Sequence, residues 1–162
     1  MSFIPTVFEF THDRSRALGV PHASGFGPFV PGTPLQLRYF TDPKVQVVWD
    51  FDPTLGFIIL DFSARQGGTK LAVDFKDGRV AAETPIVLEI FTGAPSQRWS
   101  LSIRPGYITS LANPELVIDD HFGSTQPDNP IWAFPFNGTG AQQWTATQAF
   151  QAIAAKSAQK AA

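Results

Sequence analysis

Apolar residues in this chain come in short runs, broken by Gly, Pro, Asn and Asp. Phe57-Ile58-Ile59-Leu60, Lys70-Leu71-Ala72-Val73-Asp74 and Pro85-Ile86-Val87-Leu88-Glu89-Ile90-Phe91 are representative, and all are rich in Val, Ile, Leu and Phe. Such runs suit a pleated, half-buried surface and are too short for helices, so the pattern predicts many short strands. The tail Thr145–Ala162 differs, being rich in Ala, Gln and Lys, with Phe150, Ile153 and Ser157 at helical spacing. A frayed helix or disorder is the first expectation there, because short isolated helices are marginal in water. A helix docked on the body or on a second subunit is the alternative.

The runs recur in phase. Trp49, Trp99 and Trp144 are spaced by 50 and 45 residues, and each follows a similar series of runs. Asp74 to Pro85 and Asp119 to Pro130 both span 11 residues, and Pro34, Pro85 and Pro130 each precede a Gln by 12. Three copies result, over about 5–52, 53–101 and 102–147. The first departs by a longer loop near Ser24–Pro31 and by an extra residue between Gln46 and Trp49. One copy cannot bury its apolar side alone, so three must share a core. About four strands per copy gives about twelve strands in a closed all-β body, and closure removes the edges that invite aggregation. The expected organisation is one domain over 1–147 and an Ala-rich tail over 148–162.

Composition narrows the class. With 162 residues, 43% of them apolar and 16% charged, the chain is long enough for a real core and reads as globular. Fourteen Pro and thirteen Gly favour turns over long helices. Twelve Lys and Arg, scattered among fourteen Asp and Glu, give no nucleic-acid footprint. Cysteine is absent, which excludes disulfides, Cys-ligated zinc and a Cys nucleophile, and fits a reducing compartment. No apolar run approaches the ~18 residues of a membrane helix, and no membrane insertion is expected. The opening Met-Ser-Phe-Ile-Pro-Thr lacks the marks of a signal peptide. A cytoplasmic location, or release without a conventional signal, is the expectation.

Copy three has the most complete polar set. Its order is apolar-Asp119, a Gly-Ser-Thr loop, Pro130-apolar-x-x-aromatic, Asn137-Gly138 and Gln142-x-Trp144. That order resembles the ricin-B-type (R-type) lectin module, a β-trefoil. The resemblance covers residues 5–147 and runs without gaps from Asp119 to Trp144. It implies a six-stranded barrel capped by three hairpins, with up to three shallow sugar sites, often for galactose or N-acetylgalactosamine. Cysteine positions common in the family are filled here by Val117, Phe136, Phe91 and Phe40.

Holding a pyranose in water takes a carboxylate for two hydroxyls, a ring under the C–H face and an amide that donates and accepts. The resemblance gives Asp119 the carboxylate role and Phe134 the platform. Gln142 would brace the loop and Trp144 would lie in the core. Ala141 stands where the family has Asn, and Asn137, Asp120, His121 or Asp128 would have to compensate. The structural alternative for Asp119 is an Asx-turn acceptor, and for Phe134 a place in the core. A metal on Asp119-Asp120-His121 is disfavoured, since adjacent strand residues point to opposite sides. No cofactor is implied.

The second copy offers a lesser site, Asp74, Ser96 and Gln97, with Glu89 where a platform ring should be. The first has Gly19 at the acid position and Arg38 at the platform, and reads as retained for the fold. The three His have no Ser or Cys partner motif and no carboxylate pair is evident, so no enzyme activity is expected. A sequon, Asn137-Gly138-Thr139, falls in the site loop, where a glycan would obstruct binding.

The leading expectation is therefore a lectin for glycans or glycoconjugates with its main site in copy three. One shallow site binds weakly, and self-association as a homodimer would supply avidity. The alternative is a protein-binding trefoil with decayed sugar sites, a protease inhibitor or toxin-associated module. Its recognition loop would be Ser24-Gly25-Phe26-Gly27-Pro28-Phe29-Val30-Pro31, exposing two Phe.

Overall fold

The computed structural model describes residues 2–22, 28–61 and 68–161. Thirteen strands join in one curled antiparallel sheet. In chain order they are β1 (Ile4–Phe10), β2 (Arg16–Pro21), β3 (Gln36–Tyr39), β4 (Val45–Gln46), β5 (Trp49–Phe51) and β6 (Ile58–Leu60). Then come β7 (Leu71–Phe75), β8 (Ile86–Ile90), β9 (Trp99–Ser100), β10 (Thr109–Ser110), β11 (Leu116–Asp120), β12 (Asn129–Pro135) and β13 (Trp144–Gln148). A helix, α1 (Ala149–Ala161), follows without a loop.

Two rings of strands close on themselves. In the first, β1 pairs with β13 and with β5, and β5 pairs with β6. A bridge between Phe57 and Arg98 leads on to β9, which pairs with β10. The Trp144 N–H donates to the Gly106 carbonyl at 2.8 Å, returning the circuit to β13. The equivalent bond from the Trp99 N–H ends on the Gly56 carbonyl, also at 2.8 Å. Gly56 has φ +86°, and a Cβ there would stand 2.2 Å from the Trp99 carbonyl oxygen, so this closure demands glycine.

The second ring is made of hairpins β2–β3, β7–β8 and β11–β12. Bridges Pro34–Val87 and Pro85–Trp132, with the pairs Asn129–Leu37 and Pro130–Gln36, tie each hairpin to the next. Pro130 and Pro135 fall near the two ends of β12, where a missing N–H is tolerated.

The three tryptophans sit between the rings and define the repeat. The indole N–H of Trp49 donates to the Leu18 carbonyl at 3.0 Å, that of Trp99 to Val73 at 3.1 Å and that of Trp144 to Ile118 at 3.1 Å. All three are buried with Phe8, Phe10, Phe75 and the Ile and Leu residues of the hairpins, and Phe75 stacks on Trp99 at 5.3 Å. Burying each indole stabilises the fold only because its N–H is satisfied. The same bonds make Leu18, Val73 and Ile118 equivalent. The residues after them, Gly19, Asp74 and Asp119, therefore occupy one position in three copies.

The tail departs from the first expectation. It forms a docked helix, burying Ala149 and Ala152 against Val7, Ala17, Val45 and Val47. Lys156 donates to the Arg14 carbonyl at 2.6 Å and stands 3.5 Å from the buried Glu9 carboxylate. The apolar stripe read from the sequence is not the docked face, since Phe150 is 68% and Ile153 49% exposed. Small alanines let the helix backbone approach the sheet closely, whereas Phe150 would hold it off. Half of the proposed recognition loop, including Phe26, lies outside the described residues. Phe29 is partly buried against the core with its ring 4.2 Å from His22, so it is not an exposed anchor.

Candidate functional site

Asp119 stands on β11 opposite Trp132 on β12. Alternation along β12 turns Ile131 and Ala133 into the core and leaves Trp132 and Phe134 half-buried on the outer face. Their rings are stacked, centroids 5.1 Å apart and 20° from parallel, so the pair forms an apolar wall in which each ring partly covers the other. Asp119 is only 4% exposed. Its Oδ1 accepts from the Trp132 indole N–H at 2.9 Å and its Oδ2 from Gln142 Nε2 at 2.9 Å. Burial pushes this carboxyl above its ordinary value, while the bonds from Trp132 and Gln142 and the nearby His121 pull it back. Each carboxylate oxygen has two lone-pair directions, so each retains one.

Gln142 is fully buried. Its Nε2 also donates to the Pro135 carbonyl at 3.0 Å, and its Oε1 accepts from the Asn137 N–H at 2.9 Å. One side chain thus ties the acid, the end of β12 and the following loop together. Asn137 in turn accepts at Oδ1 from the N–H and hydroxyl of Thr139, at 3.0 and 2.8 Å.

Between these elements lies a pocket of about 480 Å³. Asp119, Trp132 and Phe134 line it, together with Asn137, Thr139 and Ala141 from the loop that follows β12. Phe122 and Gly123 complete its lining, together with Glu83, which arrives from the second copy. Phe122 is 85% exposed and has φ 57°, a left-handed conformation that is costly for a bulky side chain. Asp77, in the matching short turn of the second copy, has φ 56°.

Of the residues singled out in copy three, Asp119, Phe134 and Asn137 meet at this pocket, and Gln142 lies behind it. Asp120 does not line it. That side chain is fully buried on the other face of β11, with Asn129 Nδ2 donating to its Oδ1 at 2.7 Å. Its Oδ2 has no hydrogen-bond partner, and burial, against the Asn129 bond and with the Asp119 charge, pushes its carboxyl up to about 7. The His121 ring packs edge-on against Trp132 at 4.3 Å and Phe122 at 4.1 Å, backing the wall rather than lining the pocket. Asp128 forms an ion pair with Arg38 of the first copy instead of compensating for Ala141.

Trp132, Phe122 and Glu83 were not among the residues singled out. Trp132 carried a readable signal, because it shares a strand face with Phe134 two residues on. Glu83 carried none, since only the contact between copies brings it here.

The other two copies lack this arrangement. In the second, Gln97 Nε2 donates to Asp74 Oδ2 at 3.1 Å, and Gln97 Oε1 accepts from Thr92 and Gly93 N–H at 2.9 and 3.1 Å. Val87 occupies the position of Trp132, and the buried Asp74 Oδ1 has no partner. Glu89 matches Phe134, and Ser96 is half-buried beside Gln97. In the first, Gly19 stands at the acid position, and a Cβ there would press on the Gln46 carbonyl and Val47 Cγ1, both at 3.1 Å. Arg38 there is committed to Asp42 at 2.7 Å. Among the described residues, no group of three or more His, Asp or Glu side chains is placed to hold a metal ion.

No protein-family model matches the sequence, and no curated protein matches it. Solved structures do. A designed three-fold symmetric protein, ThreeFoil, is 19% identical, with a TM-score of 0.66 over 90% of this chain and 97% of that one. The C-half of an earthworm R-type lectin, solved with GalNAc, is 18% identical, with a TM-score of 0.59 over 90% of this chain and 98% of that one. A mosquitocidal holotoxin is 17% identical, with a TM-score of 0.68 over 91% of this chain, which spans only 17% of the toxin. The two closed rings and these likenesses agree: the chain folds as a β-trefoil, with a short helix at its C-terminal end.

Proposed function

We propose that this protein is a carbohydrate-binding module whose working site is the copy-three pocket. The observation that carries the reading is the Asp119 carboxylate, held by Trp132 and Gln142 at the foot of an aromatic wall. A pyranose seated there would place its C–H face on Trp132 and Phe134 and hand two hydroxyl protons to the free lone pairs of Asp119. Asn137 would supply the amide that Ala141 does not. The likeness to a lectin solved with GalNAc supports the class of ligand, and galactose-type sugars are the first to try. The reading is of a binding site, with Asp119 accepting hydrogen bonds from the sugar and no reaction step assigned to it.

A glycan array read with the wild type and Asp119→Ala tests this. Binding that is lost in the variant supports the reading, and binding that survives the substitution removes it. The competing reading, a protein-binding module, shares its fold with the toxin above. Capture of a protein partner that is unaffected by Asp119→Ala, without any glycan signal, would favour it.

A further inference from the structure

Glu83 belongs to the connection between β7 and β8, yet it is held against β12. Its N–H donates to the Ala133 carbonyl at 2.7 Å, and the Ala133 N–H donates to the Thr84 carbonyl at 2.9 Å. Ala133 is the residue between Trp132 and Phe134, so the two bonds fix Glu83 beside the aromatic wall. Its backbone has φ 66°, a conformation that a non-glycine residue holds only when its surroundings impose it. The side chain is exposed, lines the pocket and forms no ion pair among the described residues.

The pocket therefore carries two carboxylates, Asp119 and Glu83, and three aromatic side chains, Phe122, Trp132 and Phe134, with no Lys or Arg in its lining. An exposed carboxylate beside an apolar hollow, with no cation paired to it among the described residues, is a ready partner for a ligand's cation. Rings of this kind attract a cation through their negative faces. A neutral sugar would satisfy Asp119 and leave Glu83 unused.

Resting on the reading of the pocket as a sugar site, we infer that its preferred ligand is an amino sugar with a free, protonated amine. The ammonium group would lie between Glu83 and the aromatic wall while ring hydroxyls engage Asp119. An N-acetyl group would remove the charge and with it the contribution of Glu83. No covalent step is involved.

Isothermal titration of the wild type and Glu83→Gln with the methyl glycosides of galactose, N-acetylgalactosamine, galactosamine and glucosamine at neutral pH tests the inference. At least one free-amine sugar should bind the wild type about fivefold more tightly than galactose, the scale of a half-exposed ion pair helped by cation–π attraction. That preference should shrink in high salt. Glu83→Gln is nearly isosteric, and in it the ratio of amino-sugar to galactose affinity should fall to about one. Equal affinity of the wild type for galactose and the amino sugars overturns the inference and leaves the sugar site standing. So does a preference that persists in Glu83→Gln. No binding of any sugar overturns both.

Discussion

The indole N–H of Trp132 donates to Asp119 Oδ1 at 2.9 Å, across a strand pair that places the two residues directly opposite. The bond ties the carboxylate to one of the two rings that line the pocket with it. In the second copy Val87 takes the tryptophan's place, and the corresponding oxygen of Asp74 is buried without a partner. The two copies share the acid and the bracing Gln but differ in the group that orients the acid.

Trp132→Phe separates orientation from stacking. The ring wall survives, but Asp119 loses one donor. We expect a stability loss of about 1–2 kcal/mol in urea unfolding, the usual cost of a buried acceptor left unpaired. Sugar affinity should fall by about tenfold or more, since charge-assisted bonds depend on geometry. Unchanged affinity would show that the indole bond does not set the carboxylate.

Gln142→Ala removes three bonds at once and leaves the Asn137 N–H and Asp119 Oδ2 without their partner. A loss of about 2–4 kcal/mol is expected from unsatisfied buried groups and the cavity together. Hydrogen exchange should show the Asn137 amide freed first. A loss below about 0.5 kcal/mol, the range of surface changes, would contradict the bracing role.

Asp120 makes stability depend on pH. Its folded carboxyl titrates at about 7, well above the ordinary carboxylate value. The folded state therefore holds the proton more tightly than the unfolded chain does. The stabilising contribution is fully present below about pH 4, where both states are protonated. It is lost progressively as pH rises, and the loss is complete just above 7. Asp120→Asn stays neutral and escapes this. Thermal melts from mildly acidic to mildly alkaline pH should show the variant's Tm gaining on the wild type's up to about pH 7 and levelling off above it. A constant difference across the range would remove this account of the residue.

Deleting the chain after Gln148 uncovers Val7, Ala17, Val45 and Val47 and removes Lys156 from Glu9. A loss of about 1–3 kcal/mol follows from the apolar area exposed. Phe150→Ala and Ile153→Ala, at exposed positions, should each change stability by less than about 0.5 kcal/mol. Chemical denaturation of the three variants checks the assignment of faces.

These differences show what a sequence carries and what it does not. Short runs, turn residues and phased tryptophans announced the strands and the threefold plan, because local pattern decides them. Asp119, Phe134 and Asn137, which line the pocket, were picked out by the resemblance of copy three to a lectin module and not by the repeat, since Glu89 and Arg38 stand where Phe134 does in the other copies. The docked face of α1 was not, because Ala149 and Ala152 carry little hydrophobic signal and act through close backbone approach. Asp120 was expected to compensate for Ala141, but the strand's alternation turns it to the buried face of β11, away from the pocket that Asp119 lines. Glu83 comes from another copy, and no local reading could place it beside Trp132.

The tryptophans also offer the most direct test of the account. Three of the four, Trp49, Trp99 and Trp144, are buried with their indole N–H groups on backbone carbonyls. Trp132 alone lines the pocket, with its N–H on Asp119. Titration of the 15N-labelled protein with galactose, N-acetylgalactosamine and their free-amine counterparts should move the Trp132 indole resonance and leave the other three in place. A sugar that binds without moving Trp132, or no movement with any sugar, would contradict the claim that this pocket is the binding site.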